Sequence, residues 1–97
     1  MTSNLKPKQE EILRILQEEC AEVIQAVSKI CRFGIDSDYT GTSNREHLTQ
    51  ELGDLQAMIN LAVSNGIVTS QAVHDAATIK ITKLMRYTSI YDEEPNE

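Results

Sequence analysis

The chain has 97 residues, which suits a single domain, and its 15 acidic against 9 basic side chains give a net charge of −6. Without a basic surface to neutralise phosphates, the protein is not expected to bind nucleic acid or an anionic membrane. A domain of this size buries only about 60–65% of its unfolded surface, so self-association is a natural way to complete its core.

Neither an export signal nor a membrane span is recognisable. The start, MTSNLKPKQEE, lacks an apolar core, and no run approaches the ~18 apolar residues of a span. On one helix Cys20 and Cys31 would stand roughly 16 Å apart, too far for a disulfide. We expect them to be small buried residues of a reducing compartment. The prediction is therefore a cytoplasmic protein with no membrane partner.

The first element is a helix predicted from about Lys8 to Arg32, with Pro7 favourable at its first turn. Its apolar residues recur at i, i+3 and i+4 and form one stripe, centred near Leu16 and Val27. The members of this stripe are Ile12, Leu13, Leu16, Cys20, Val23, Ile24, Val27, Ile30 and Cys31.

A second helix follows a loop at 33–42 that is rich in glycine, serine, threonine and aspartate. Ser43 and Glu46 have the spacing of a capping box at its start. The helix is predicted to end near Asn65, where Gly66 is placed to adopt the left-handed conformation. Its apolar stripe consists of Leu48, Leu52, Leu55, Ile59 and Ala62.

The third helix is predicted from about Gln71 to Tyr87, with Thr69 or Ser70 as its cap. Its apolar stripe consists of Val73, Ala77, Leu84 and Tyr87. No segment has the pattern of a strand, so the predicted fold class is all-α. Residues 1–90 are expected to form the folded domain, and the acidic end, 91–97, a mobile tail.

Two pairs of carboxylates are the most informative feature. Glu19 and Glu22 lie three residues apart on the first helix, and so do Glu51 and Asp54 on the second. This spacing projects both members of a pair from one face, beside the apolar stripe. If the two helices pack antiparallel, the four carboxylates converge. Because like charges repel, such an arrangement indicates a hard divalent cation between them. The alternative is an ordinary solvated face, because such pairs occur in many helices.

Lys80 is a second unusual residue, since it falls in the middle of the third apolar stripe. One explanation is that its aliphatic stem packs on the stripe while its ammonium reaches water. The alternative is that it faces the carboxylates, with Lys83 and Arg86 on the flank. Cations beside a metal-binding acidic cluster would suit a ligand that carries several phosphates.

The segments EECAE at 18–22 and ELGD at 51–54 resemble the EExxE and ExxD signature of the MazG-like, all-α nucleoside triphosphate pyrophosphohydrolases. The resemblance covers roughly residues 8–90. It implies a four-helix bundle completed by oligomerisation, as a homodimer or homotetramer. It also implies hydrolysis of a nucleoside triphosphate to the monophosphate and pyrophosphate, with Mg²⁺ as the cofactor and Mn²⁺ as a substitute.

The resemblance also implies roles for individual residues. By motif position, the metal ligands are Glu19, Glu22, Glu51 and Asp54. Glu18 would lie near the attacking water and orient or deprotonate it. The cations that resemble the phosphate-binding set of the family are Lys80, Lys83 and Arg86. Family members often carry an asparagine in that set, and no asparagine lies among these three cations.

Two other interpretations stay open. A phosphoribosyl-ATP pyrophosphohydrolase-like enzyme or a di-iron bundle would carry a His-bearing motif on the second helix, whereas His47 precedes Glu51 without forming Glu-x-x-His. A non-enzymatic helical oligomerisation module would leave the acids in solvent and bind no Mg²⁺. The preferred base is not predicted, although Tyr39 and Phe33 are candidates for stacking on a base or for packing.

Overall fold

A computed structural model describes residues 4–38 and 41–94, and every regular element in those ranges is a helix. Helix α1 spans Pro7–Phe33, helix α2 spans Asn44–Ser64 and helix α3 spans Ser70–Tyr87. The predicted all-α class is confirmed. The chain divides into two compact units, Met1–Ile67 and Val68–Glu97, each of which is described by itself. Within the described ranges, no helix combines the length and the apolar character needed to cross a membrane.

In the first unit, α1 and α2 pack against each other as an antiparallel hairpin. Ile12, only 5% exposed, lies near the start of α1, whereas its core partner Ala62 lies near the end of α2. The buried cluster is Ile12, Met58 and Ala62, with Ile15, Leu16 and Ile67 packed against it. Burial of these apolar side chains is the main favourable contribution to the free energy of folding of the hairpin.

Two side-chain hydrogen bonds define the register of the hairpin, one at each end. Gln9 Nε2 donates to the Asn65 carbonyl at 2.8 Å and joins the start of α1 to the end of α2. At the other end, Asn44 Nδ2 donates to the Gly34 carbonyl at 2.9 Å. Asn44 is buried, so loss of this bond would leave a polar group without a partner. We name these two contacts the register bonds.

The helix ends follow the predicted caps. Ser43 Oγ accepts a hydrogen bond from the Glu46 amide at 3.1 Å, and Thr69 Oγ1 accepts one from the Ala72 amide at 3.1 Å. After α2, Gly66 has a φ of 75°, the left-handed conformation that glycine adopts without a steric penalty. The predicted stop of α2 at this glycine is therefore confirmed.

The apolar stripe of α1 is wider than the face that contacts α2, which corrects part of the prediction. Ala26 is buried, but Ile24 is 69% exposed and Val27 is 44% exposed. Cys20 and Cys31, expected to be buried, are exposed as well. Helix α2 covers only one side of the stripe, so the adjacent side stays in solvent in the single chain.

In the second unit, α3 buries none of its residues. Val73 and Tyr87 of its predicted stripe are exposed, and Leu84 is half-buried. An isolated helix of this length is only marginally stable in water, so burial of an apolar face is expected to stabilise it. Residues 91–94 of the predicted tail are exposed, and residues 95–97 lie outside the described ranges.

Candidate metal centre

Three carboxylates from the two helices of the hairpin converge on one point. One oxygen from each of Glu19, Glu51 and Asp54 lies within 4.8 Å of the others. Helix α1 contributes Glu19, and α2 contributes Glu51 and Asp54, which are less than one turn apart. We name these three residues the carboxylate cluster. Its position depends on the antiparallel register, because that register sets the middle of α1 against the first half of α2.

Glu51 is the most buried member of the cluster. It is 9% exposed, whereas Leu52, the next residue along α2, is 48% exposed. Helix α2 therefore turns a carboxylate toward α1 and leaves the leucine in solvent. Burying a carboxylate costs free energy unless a partner compensates for the lost hydration. A cation held by the cluster would be such a partner.

The Glu19 carboxyl group shows the effect of the negative charges that surround it. Partial burial raises its pKa above the ordinary value of 4.5, and repulsion from the carboxylates of Asp54, Glu51, Glu22 and Glu18 raises it further. The protonated form of Glu19 is thereby favoured. A cation in the cluster would have the opposite effect and favour the charged form.

The donor atoms fit a hard divalent cation. Mg²⁺ takes oxygen ligands at about 2.0–2.1 Å, so opposite ligands of an octahedral site are about 4.2 Å apart. The oxygens of the cluster lie within 4.8 Å of one another, close to that span. The cluster contains no thiolate or imidazole, the ligands that zinc and copper prefer. The cluster is thus better suited to Mg²⁺ or Mn²⁺ than to softer metals.

The other two acids of the EECAE segment lie at the edge of the cluster. Glu18 and Glu22 are both exposed, and neither belongs to the group of converging oxygens. Both nevertheless raise the pKa of Glu19, so their charges act at the cluster. The structure brings three of the four predicted metal ligands together and leaves Glu22 outside the group. The roles of these acids stay predictions.

The predicted phosphate-binding cations lie on α3, in the second unit. Lys80, Lys83 and Arg86 are all exposed. Lys83 and Arg86 line a cavity of about 260 Å³, and Lys80 is not among its lining residues. The other residues that line this cavity are Ile79, Thr82 and Tyr87. Phosphate binding by the three cations stays a prediction.

Tyr39 and Phe33 are the two aromatic candidates for stacking on a base. Tyr39 lies outside the described residues. Phe33 is exposed at the end of α1, and the Arg32 guanidinium lies 5.0 Å from the centre of its ring. This geometry is a cation–π contact, so one face of the ring already has a partner within the chain.

Sequence reasoning missed three residues whose contacts lie at the cluster or at the ends of the hairpin that carries it. Gln9 and Asn44 make the register bonds, and His47 contacts Glu51 directly, with Nε2 3.3 Å from Oε1. The only sequence signal for the last contact was the spacing of four residues, which puts both side chains on one face of a helix. Nothing in the sequence indicated the two register bonds, because both depend on how the two helices pair: Gln9 and Asn65 are 56 positions apart, and Asn44 and Gly34 lie on opposite sides of the loop.

Taken together, the fold and the cluster define an all-α protein with a carboxylate site between antiparallel helices. The family model of the MazG nucleotide pyrophosphohydrolase domain matches residues 8–86. The match spans nearly all of the three helices, so the chain belongs to the MazG nucleotide pyrophosphohydrolase domain family. The resemblance predicted from the two acidic segments is confirmed. Searches of curated proteins and of solved structures found no match.

Proposed function

We propose that this protein is a metal-dependent pyrophosphohydrolase of the cytoplasmic nucleotide pool. It would convert a (deoxy)nucleoside triphosphate and water to the monophosphate and pyrophosphate. The convergence of Glu19, Glu51 and Asp54 is the observation that carries this proposal. Membership of the MazG family supports a nucleotide phosphoanhydride as the substrate. The proposed cofactor is Mg²⁺, with Mn²⁺ as a substitute.

The carboxylate cluster would hold the cation, and Glu22 at its edge would complete the ligand set. When bound, Mg²⁺ would neutralise phosphate oxygens, polarise the α-phosphate and lower the pKa of a bound water. Glu18 is exposed next to Glu19, so water reaches its carboxylate freely. In this proposal Glu18 orients the attacking water and accepts its proton. The water oxygen bonds to the α-phosphorus, and pyrophosphate leaves with the bridging oxygen.

The triphosphate also needs positive charge from the protein. Lys80, Lys83 and Arg86 are the proposed sources, because all three are exposed on α3. Charge-assisted hydrogen bonds from lysine and arginine to phosphate are stronger than neutral ones. The net charge of −6 makes such a set important for substrate binding, since the rest of the surface repels a triphosphate.

Product analysis in isotopically labelled water tests the reaction. The chain is incubated with each (d)NTP and Mg²⁺ in H₂¹⁸O, and products are separated and weighed by mass spectrometry. We expect equal amounts of monophosphate and pyrophosphate, with ¹⁸O in the monophosphate, and no reaction with EDTA. Orthophosphate in place of pyrophosphate, or label in the pyrophosphate, would contradict α–β cleavage by attack at the α-phosphorus. A non-enzymatic oligomerisation module would give no products and no thermal shift with Mg²⁺.

The same proposal includes self-association as a homodimer or homotetramer. An exposed strip of α1 follows helical spacing along its length, and its members are Cys20, Ile24, Val27 and Cys31. Leu52 and Leu61 of α2 are also exposed. Contiguous exposed apolar surface on a small protein is typical of a protein–protein contact. Two hairpins joined through such surfaces would form a four-helix bundle.

Ile24→Glu is expected to dissociate the assembly, because it places a charge in the proposed contact. Light scattering after size-exclusion chromatography should give the mass of the 10.9 kDa monomer for this variant and a multiple of it for the native chain. Gln25→Glu is the matched control: it adds the same charge at the neighbouring exposed position, which points to another face. A native chain that is monomeric at assay concentrations would overturn the proposed assembly.

A further inference from the structure

His47 contacts the most buried carboxylate of the cluster without belonging to it. Its Nε2 lies 3.3 Å from Glu51 Oε1, and the exposed fractions of the two side chains are 29% and 12%. His47 precedes Glu51 by one turn of α2, whereas Asp54 follows it by almost one turn. The ring nitrogens of His47 are not part of the group formed by Glu19, Glu51 and Asp54.

We propose that His47 is a positioning residue for Glu51, an inference that rests on the proposed function. The N–H of Nε2 would donate to one oxygen of Glu51 and leave the other oxygen free for the cation. A glutamate has three side-chain torsions, and a donor at one oxygen restricts them before the cation arrives. Partners behind metal ligands commonly orient them in this way. The 3.3 Å separation is slightly longer than a usual hydrogen bond, so a small side-chain rotation would complete it.

The chain itself shows which replacement can keep this contact. On α3, Gln71 Nε2 donates to Asp75 Oδ1 at 2.8 Å across the same spacing of four residues. On α2, Gln56 Nε2 donates to Asn60 Oδ1 at 2.9 Å, again four residues on. A glutamine at position 47 is therefore able to donate to Glu51. A leucine there would occupy a similar volume with no donor.

Mn²⁺ binding to the full chain, followed by the electron paramagnetic resonance signal of the free ion, tests the proposal. His47→Leu is expected to weaken Mn²⁺ binding about 10-fold, the usual cost of losing a partner behind a metal ligand. His47→Gln should restore binding to near the native affinity. His74→Leu is the matched control, because His74 is the other histidine and is exposed on α3, and it should change nothing.

Each outcome separates this inference from the proposed function. If the native chain binds Mn²⁺ and His47→Leu binds it equally well, the positioning role is wrong and the proposed cation site stands. A native chain that binds no Mn²⁺ would overturn both. Nitrogen coupling from a directly bound imidazole in the spin-echo spectrum would make His47 a ligand and overturn the positioning role. If His47→Leu loses helix content, His47→Asn, with a shorter amide, replaces it with the same expected loss.

Discussion

Glu51→Gln and Asp54→Asn are each expected to abolish pyrophosphate release while leaving the helix content unchanged. Both replacements nearly keep the side-chain volume, remove the negative charge that would bind the cation and replace one carboxylate oxygen by an NH₂ group. Loss of a partner behind a metal ligand costs about 10–100-fold, so loss of a ligand itself should cost more than about 100-fold. The measurements are pyrophosphate release at saturating substrate and Mg²⁺, Mn²⁺ binding by calorimetry, and circular dichroism.

The matched control for these two variants is Glu11→Gln. Glu11 is an exposed acid of α1 outside the carboxylate cluster, so this variant has the same charge change without loss of a ligand. It should keep native activity and native Mn²⁺ affinity. Full activity in Glu51→Gln or in Asp54→Asn would remove the carboxylate cluster from the reaction.

Glu19→Gln is expected to have opposite effects on stability and on metal binding. In EDTA near neutral pH the variant should melt at a higher temperature than the native chain. The reason is that burial and four neighbouring carboxylates raise the pKa of Glu19 above 4.5, so its charged form destabilises the folded, metal-free protein. The neutral glutamine removes this cost. The same variant should lose the thermal stabilisation by Mg²⁺ that the native chain is expected to show.

The pH dependence of this stability gain follows from linkage. Because the folded chain holds a proton on Glu19 that the unfolded chain releases, native stability falls as the pH rises from 4.5 through the raised pKa. The gain in stability from Glu19→Gln should therefore be largest above that window. It should vanish below pH 4.5, where Glu19 of the unsubstituted chain is protonated in both the folded and the unfolded state. Melting curves in EDTA across this range are the measurement. A gain that does not change with pH would contradict the electrostatic cause.

The helix bounds and the caps were predictable because they depend on residues close together in the chain. A serine or threonine cap satisfies amides two or three residues ahead, and a glycine stop needs only its own backbone conformation. Ser43, Thr69 and Gly66 act as their positions predict. The two carboxylate pairs were predictable for the same reason, since each depends on a spacing of three residues within one helix.

The buried side of each stripe was not predictable to the same degree. The apolar residues of α1 cover an arc wider than one neighbouring helix can bury, so periodicity placed Ile24 in the stripe and left out Ala26, although Ala26 is the buried one of the two. Which side of that arc is buried depends on how the two helices of the hairpin pack. The burial of Glu51 depends on the pairing of the two helices too, whereas its contact with His47 lies within α2. For this reason the sequence predicted four converging acids, of which three converge in the structure, and it did not predict which of them lies deepest.

The two register bonds also disfavour mispaired arrangements of α1 and α2. Sliding α1 along α2 by one helical turn would shift it by about 5.4 Å. This shift exceeds 4.8 Å, the largest separation between the carboxylate oxygens of the cluster. The same slide would separate Gln9 from Asn65 and Asn44 from Gly34 together. A hairpin paired one turn out of place would thus lose both terminal contacts and the cluster at once. Misregistered pairings are therefore penalised at both ends of the hairpin, and the carboxylate cluster forms only when the two helices are correctly aligned.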